Sequence, residues 1–213
     1  MTGIPYTILL LCVAGYFLGS IPFGLLLAKM FGAVDVRRQG SGNIGAANVA
    51  RVAGLLAGIL TLVLDAAKGA AAVLLAAYFT NSNAMAMMLT GIAVLLGHFF
   101  TIWLGFNGGK GVATALGLFA ALSPIAALSA LILFLLVVAC WRYVSLGSIA
   151  AAAAMPLLIY FLWAPGHAPP LVIVFGTLFV SALVIFKHDG NLQRLTEGTE
   201  PKFRTSRMKG ESE

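Results

Sequence analysis

Charge is what this sequence has least of. Only 9% of its 213 residues are Asp, Glu, Lys or Arg, where a soluble domain carries roughly 25%. That scarcity excludes an ordinary water-soluble surface. There are two cysteines, Cys12 and Cys140, each in or at the end of an apolar run. A free cysteine there behaves as a small buried hydrophobe, so neither a disulfide nor a metal role is expected. No Cys, Asp or Glu stands at metal-ligand spacing from His98. No spacing suggests a Ser-His-Asp set, and no His is followed five residues later by Asp, the pattern of acyl-CoA-dependent glycerolipid acyltransferases. The short alternating segments of a β-barrel are absent too. The first apolar run has no basic region before it and no convincing cleavage site, so it reads as a retained span.

What is present is apolar sequence: 61% of residues, a mean hydropathy of +1.00, and runs of 18 residues or more. Such runs cross a hydrocarbon core of about 30 Å. The chain is therefore expected to be an all-α integral membrane protein, read as one polytopic unit over residues 1–213. The net charge of +6 is assigned to the basic loops that membrane proteins keep on the cytoplasmic side, not to nucleic acid.

The spans follow from the breaks. The first covers Ile4 to Met30, with Gly15 and Gly19 spaced to let another helix approach. The second runs from Val52 to Phe79, the third from Ala84 to Leu104, the sixth from Val144 to Trp163 and the last from Leu171 to Phe186. Between Lys110 and Arg142 lies an uncharged stretch interrupted by Ser123-Pro124. Arg37, Arg38, Arg51, Lys110, Arg142, Lys187, Arg194, Lys202, Arg204, Arg207 and Lys209 should share one face. That requires an even number of passes between Lys110 and Arg142. Two helices meeting at Pro124 are predicted, 112–122 and 125–140. The first, only about 16 Å long, either crosses with help or re-enters. The expectation is seven transmembrane helices, some short or half-spanning, with the N-terminus outside and the C-terminus cytoplasmic. The tail from Lys187 should lie on the membrane surface, with about 201–213 a polar, disordered end. No internal repeat supports an inverted-repeat transporter.

Three polar stretches fall on the predicted cytoplasmic face. In G-S-G-N-I-G-A-A-N-V-A-R, Gly40, Gly42 and Gly45 could turn backbone N–H groups towards an anion. Ser41, Asn43 and Asn48 add polar side chains. Arg51 is expected at the start of the second span, where a helix dipole also favours an anion. In Gly108-Gly109-Lys110-Gly111, the glycines would let a phosphate approach the backbone and Lys110 supplies a point charge. The upstream glycine and strand of a nucleotide P-loop are missing. In H-D-G-N-L-Q-R-L-T-E-G-T-E, His188, Asn191 and Arg194 share a face if helical, and Glu200 follows. Ser145 stands near the cytoplasmic end of a span, as a helix N-cap, a site residue or both. Asp65 and Lys68, three residues apart, read either as an internal ion pair that fixes packing or as support behind a polar site. His98 is read the same two ways. His167 is a loop residue. The assembled site is cationic, rich in donors and poor in bases. It suits two phosphates, with chemistry by positioning and charge stabilisation.

These stretches, with D-A-A-K-G, G-H-F-F-T-I-W-L-G-F-N-G-G-K-G-V-A-T and R-Y-V-S-L-G-S, resemble the bacterial integral-membrane acyl-phosphate:glycerol-3-phosphate acyltransferases (the PlsY family) over almost the whole chain. Ala47 stands where that family usually has Thr, Thr101 where it has Pro, and Asn107 where it has Lys. The resemblance implies transfer of an acyl group from acyl phosphate to the 1-hydroxyl of glycerol 3-phosphate, giving lysophosphatidic acid and phosphate. It implies no metal or other cofactor, no nucleic acid, contact with membrane lipids, and coupling to an enzyme that makes acyl phosphate. It implies a bacterial inner membrane location and a cytoplasmic active site. Ser41, Arg51, Lys110, His188 and Asn191 become the expected catalytic set. Gly40, Gly42, Asn43, Gly45, Asn48, Gly108, Gly109, Gly111, Ser145, Arg194 and Glu200 become expected substrate contacts, with Asp65, Lys68 and His98 behind them. The hydroxyl proton goes to phosphate or, in the competing route, to His188. An anion or phosphate-ester transporter is the alternative function.

Overall fold

The computed structural model describes residues 3–32, 35–163 and 166–203. The predicted turn at Ala164-Pro165 and the tail from Arg204 lie outside them. Every regular element described is helical: α1 (Gly3–Ser20), α2 (Phe23–Met30), α3 (Ala46–Ala53), α4 (Leu55–Phe79), α5 (Ala84–Phe99), α6 (Val112–Leu122), α7 (Pro124–Trp141), α8 (Val144–Leu162), α9 (Leu171–Phe186) and α10 (Asp189–Thr196). By length and composition five segments can cross a membrane, Pro5–Met30, Leu55–Phe79, Ala84–Leu104, Pro124–Trp141 and Val144–Leu162. A sixth is possible if α9 and α10, bent by 56°, count as one. The chain is a multi-pass membrane protein, and its outward residues fit that. Leu10, Leu56, Leu75, Leu136, Phe161 and Phe175 are exposed, which a soluble protein tolerates only as a binding patch.

Several boundaries differ from those read in the sequence. The first span is broken, because Pro22 has no N–H to continue α1. The freed carbonyls are covered from other helices: Thr101 donates to Ser20 O, and Lys68 Nζ donates to Ile21 O at 3.0 Å. Arg51 does not open the second span. It lies in the last turn of the separate short helix α3, and Gly54, at φ 95°, redirects the chain before α4 begins. The helix dipole there is unfavourable to an anion, so only the Arg51 charge would attract one. The third span keeps its expected limits, but its α-helix ends at Phe99 and a 3-10 turn at Ile102–Leu104 completes it. The break at Pro124 occurs as read, with the proline in the first turn of α7, where its missing N–H costs nothing.

Two glycine seams fix the packing. A Cβ on Gly19 would sit 1.9 Å from Val94 O, and one on Gly97 2.0 Å from Tyr16 O, so α1 and α5 touch backbone to backbone. Gly69 and Gly117 do the same for α4 and α6, at 2.1 Å from Thr114 O and 1.8 Å from Ala66 O. This is the close approach small residues give membrane helices. Val73, Met88, Leu95, Phe99, Leu118, Ile159, Ile173 and Val180 fill the centre between α4, α5, α6, α8 and α9.

Candidate active site

The first loop is held together by one side chain. Asn48 is buried. Its Nδ2 donates to the carbonyls of Val36, Gln39 and Asn43 at 2.9–3.1 Å, and its Oδ1 accepts from Ser41 N–H at 2.9 Å. Asn48 is thus spent inside the loop, and its amide is not free to bind substrate as the sequence suggested. The N–H groups of Gly42 and Gly45 fare likewise. Gly42 N–H donates to Gln39 O at 3.0 Å, and Gly45 N–H to Asn43 Oδ1 at 2.8 Å. The loop offers side chains to a ligand, Ser41 and Arg51, more than a cradle of backbone donors. Gly40, at φ 59°, leaves room for Asn48: a Cβ there would meet its Oδ1 at 2.2 Å.

The Gly108–Gly111 segment returns alongside the end of α5. Gly108 N–H donates to Phe99 O and Gly109 N–H to His98 O, each at 3.1 Å. A Cβ on Gly108 would lie 1.9 Å from His98 O, and one on Gly109 2.3 Å from His98 Nε2. The N–H groups of these two glycines are occupied and neither lines the two cavities described below, so packing against α5 accounts for both positions. The tight fit aims the next residue, Lys110, inwards. Its Nζ donates to Asn191 Oδ1. Burial, and then the Arg194 charge, push the Lys110 ammonium below its ordinary pKa, against the pull of Glu200.

The third stretch continues from α9 through a 56° bend. It folds into α10, with His188 and Asn191 buried beneath it. His188 Nδ1 is 2.8 Å from Val184 O. A carbonyl can only accept, so Nδ1 carries the proton and Nε2 is left as an acceptor. Burial is the main cause that holds the His188 pKa below its ordinary value, aided by Lys110. Glu200 gathers the rest. Its Oε1 accepts from Ser145 Oγ and Asn191 Nδ2, both at 2.6 Å, and its Oε2 from Arg194 Nε at 2.8 Å. Burial pushes the Glu200 carboxyl up, but these hydrogen bonds and the Arg194 charge outweigh it and hold the group low. Glu200 therefore positions three donors; an anionic substrate would not bind to it directly. Ser145 is not an N-cap, since Tyr143 occupies that position and α8 starts at Val144.

These stretches converge on a cavity of about 810 Å³. Its head carries Ser41, Arg51, Lys110, Ser145, His188 and Asn191, and Ala47 also lines it. Its body is apolar, walled by Phe119, Leu131, Phe134, Leu135, Met155 and Val180. Pro201 and Phe203 of the tail line it too, with Phe203 N–H donating to Arg142 O at 2.6 Å. A second cavity of about 240 Å³ adjoins the head. Asp65, Lys68 and His98 line neither. Lys68 Nζ lies 2.7 Å from Asp65 Oδ1, and His98 Nδ1 3.7 Å from it. The cluster sits behind the Gly108–Gly109 segment. Among the described residues, no group of three His, Cys, Asp or Glu comes together that could hold a metal.

A polytopic helical protein with a cationic, donor-rich head on a long apolar chamber is a membrane protein built around an anionic amphiphile. Comparison with known proteins gives that class a family. Residues 9–198 match the family model for glycerol-3-phosphate acyltransferase. The chain is 53% identical over 193 residues to the glycerol-3-phosphate acyltransferase of Trichlorobacter lovleyi, covering 90% of this chain and 96% of that one. It is 54% identical over 196 residues to that of Geobacter metallireducens, covering 92% and 97%. Among solved structures it is similar to PlsY (YgiH), an integral membrane glycerol 3-phosphate acyltransferase, in its glycerol 3-phosphate form. The TM-score is 0.86 and the identity 40%, covering 93% of this chain and 96% of that one. The lysophosphatidic acid form gives a TM-score of 0.85 at 39% identity. The chain belongs to the glycerol-3-phosphate acyltransferase family and is an acyltransferase.

Proposed function

We propose that this protein transfers a fatty acyl group from acyl phosphate to the 1-hydroxyl of glycerol 3-phosphate, the first step of phospholipid synthesis. The observation that carries the reading is the cavity: Lys110, Ser145, His188 and Asn191 meet at the polar end of an apolar chamber. Arg51 and Lys110 hold phosphate groups, and Ser41 and Asn43 orient the acyl phosphate. Ser145, His188 and Asn191, set by Glu200 and Arg194, position glycerol 3-phosphate. Its hydroxyl oxygen attacks the acyl carbonyl carbon, the new ester C–O bond forms, and the C–O bond to phosphate breaks. The departing phosphate takes the hydroxyl proton. Acyl phosphate is already activated, so positioning and charge stabilisation suffice. His188 Nε2, an acceptor, orients the hydroxyl. No cofactor takes part in this scheme.

The same reading sets the chain in a bacterial inner membrane with seven helices, the N-terminus outside and the C-terminus and active site cytoplasmic. Arg37, Arg38, Arg51, Lys110, Arg142 and Lys202 support that orientation. In it α6, at about 16 Å, is too short to cross alone and either crosses with help or re-enters. The donor is supplied by an acyl-phosphate-producing enzyme.

The test is purified protein in detergent or lipidic mesophase with palmitoyl phosphate and glycerol 3-phosphate. Phosphate and lysophosphatidic acid should appear in equal amounts, and both should be lost in Lys110→Ala and Arg51→Ala. Folded wild type that releases no phosphate refutes the reading. Replacing His188 with Gln separates the proton routes. A near-total loss of kcat at unchanged KM for glycerol 3-phosphate would make His188 the base.

A further inference from the structure

The smaller cavity adjoins the polar head of the acyl chamber. It shares Ser41, Asn43, Lys110, Asn191 and Arg194 with the head, but its other walls include Lys187. Three cations thus border a space of about 240 Å³, and no carboxylate lines it. Glu200, which lines the large cavity, meets Arg194 and Asn191 from the other side. Lys187 is the C-cap of α9. Its Nζ lies 4.2 Å from the ring centroid of Phe100 and 5.6 Å from that of Phe99. A lysine held over two aromatic faces keeps its charge in place and partly desolvated. Lys187 stands at the 56° bend between α9 and α10, and Asn191 and Arg194 come from α10.

We propose that Lys187 completes a second phosphate-binding cavity beside the acyl chamber, where the water-soluble phosphate species is held apart from the acyl chain. The proposal rests on the acyltransferase reading for its substrates, glycerol 3-phosphate arriving and inorganic phosphate leaving. It assigns the acyl chain to the large cavity and a free phosphate group to the small one, with Lys110 and Asn191 at the shared wall. Lys187 touches the phosphate and takes no part in proton transfer. The long stem and ring contacts of Lys187 hold the cation at the cavity wall when no ligand is bound.

The experiment compares wild type, Lys187→Met, Lys187→Arg and Arg38→Gln, the last an exposed cation lining neither cavity. Thermal melting of purified protein is followed against inorganic phosphate and, separately, glycerol 3-phosphate, at constant ionic strength. Both ligands should protect wild type and Arg38→Gln. Lys187→Met should need roughly tenfold more of either, the worth of one charged hydrogen bond. Lys187→Arg should recover most of the protection. In turnover, Lys187→Met should raise KM for glycerol 3-phosphate and weaken inhibition by phosphate, with KM for palmitoyl phosphate unchanged. Equal protection in wild type and Lys187→Met overturns the proposal, as does no protection of wild type. Wild type that binds phosphate yet transfers no acyl group would sink the acyltransferase reading and leave the cavity standing.

Discussion

The Lys110 ammonium donates to Asn191 Oδ1, and the Nδ2 of the same amide donates to Glu200 Oε1 at 2.6 Å. Only a side chain with one acceptor end and one donor end can sit between a cation and an anion in this way. Asn191→Asp puts a second carboxylate oxygen against Glu200. We expect kcat/KM to fall by about a hundredfold, the upper end of what a lost charged hydrogen bond costs. Adding Glu200→Gln should restore part of it, because Gln can donate to the new carboxylate. A double-mutant cycle measures this coupling. Additive losses would show that the two residues act independently.

Burial depresses the pKa of Lys110, and this fixes the sign of a pH effect. The ammonium is needed to hold a phosphate and is lost as pH rises. The alkaline limb of kcat/KM should therefore fall below the ordinary lysine range. Arginine stays charged throughout, so Lys110→Arg should move that limb upwards even if its maximum rate is lower. A limb that stays in place in Lys110→Arg would assign it to another group.

Much of this fold was legible because its breaks are written in proline, charge and polar clusters. Pro124 placed the α6–α7 break, and the apolar runs placed α8 and α9. Pro22 gives no such signal, because its flanks are apolar on both sides; local turns together with donors from Lys68 and Thr101 make a break there tolerable. The site's cations were legible from type and spacing. The partners of the polar atoms were not. Asn48, Gly108 and Gly109 have the residue types of a phosphate loop, yet the chain's own folding back on neighbouring carbonyls consumes their hydrogen bonds. Lys187 enters the sequence reading only through topology, because the 56° bend that brings it beside Asn191 and Arg194 leaves no periodic signal.

The Asp65–Lys68 pair lies inside α4, and Lys68 has a second partner in Ile21 O. Asp65→Asn leaves a buried cation short of its counter-ion, which costs about 3–5 kcal/mol. The double variant Asp65→Leu/Lys68→Met removes both charges and should recover most of that. A deficit of about 0.5–1.5 kcal/mol should remain, since the Ile21 carbonyl at the Pro22 break then keeps only its bond from Phe23 N–H. Melting in detergent checks both values. A double variant as stable as wild type would mean the break does not need Lys68.

Gly109 separates two accounts of the Gly-Gly-Lys-Gly segment. Its φ is not positive, so alanine suits its backbone, and the only obstacle is the His98 ring 2.3 Å from the added Cβ. Either the ring turns away from Asp65 or the segment lifts and carries Lys110 with it. A shift of about 1 Å in a positioning group can cost a hundredfold. We expect Gly109→Ala to lower kcat/KM by one to two orders of magnitude on that ground. His98→Ala vacates the obstructing space, so the double variant should outperform Gly109→Ala alone. If glycine were needed instead for a phosphate to approach the backbone, removing His98 would rescue nothing. Kinetics on the two single variants and the double therefore decide whether the segment binds substrate through its glycines or only aims Lys110.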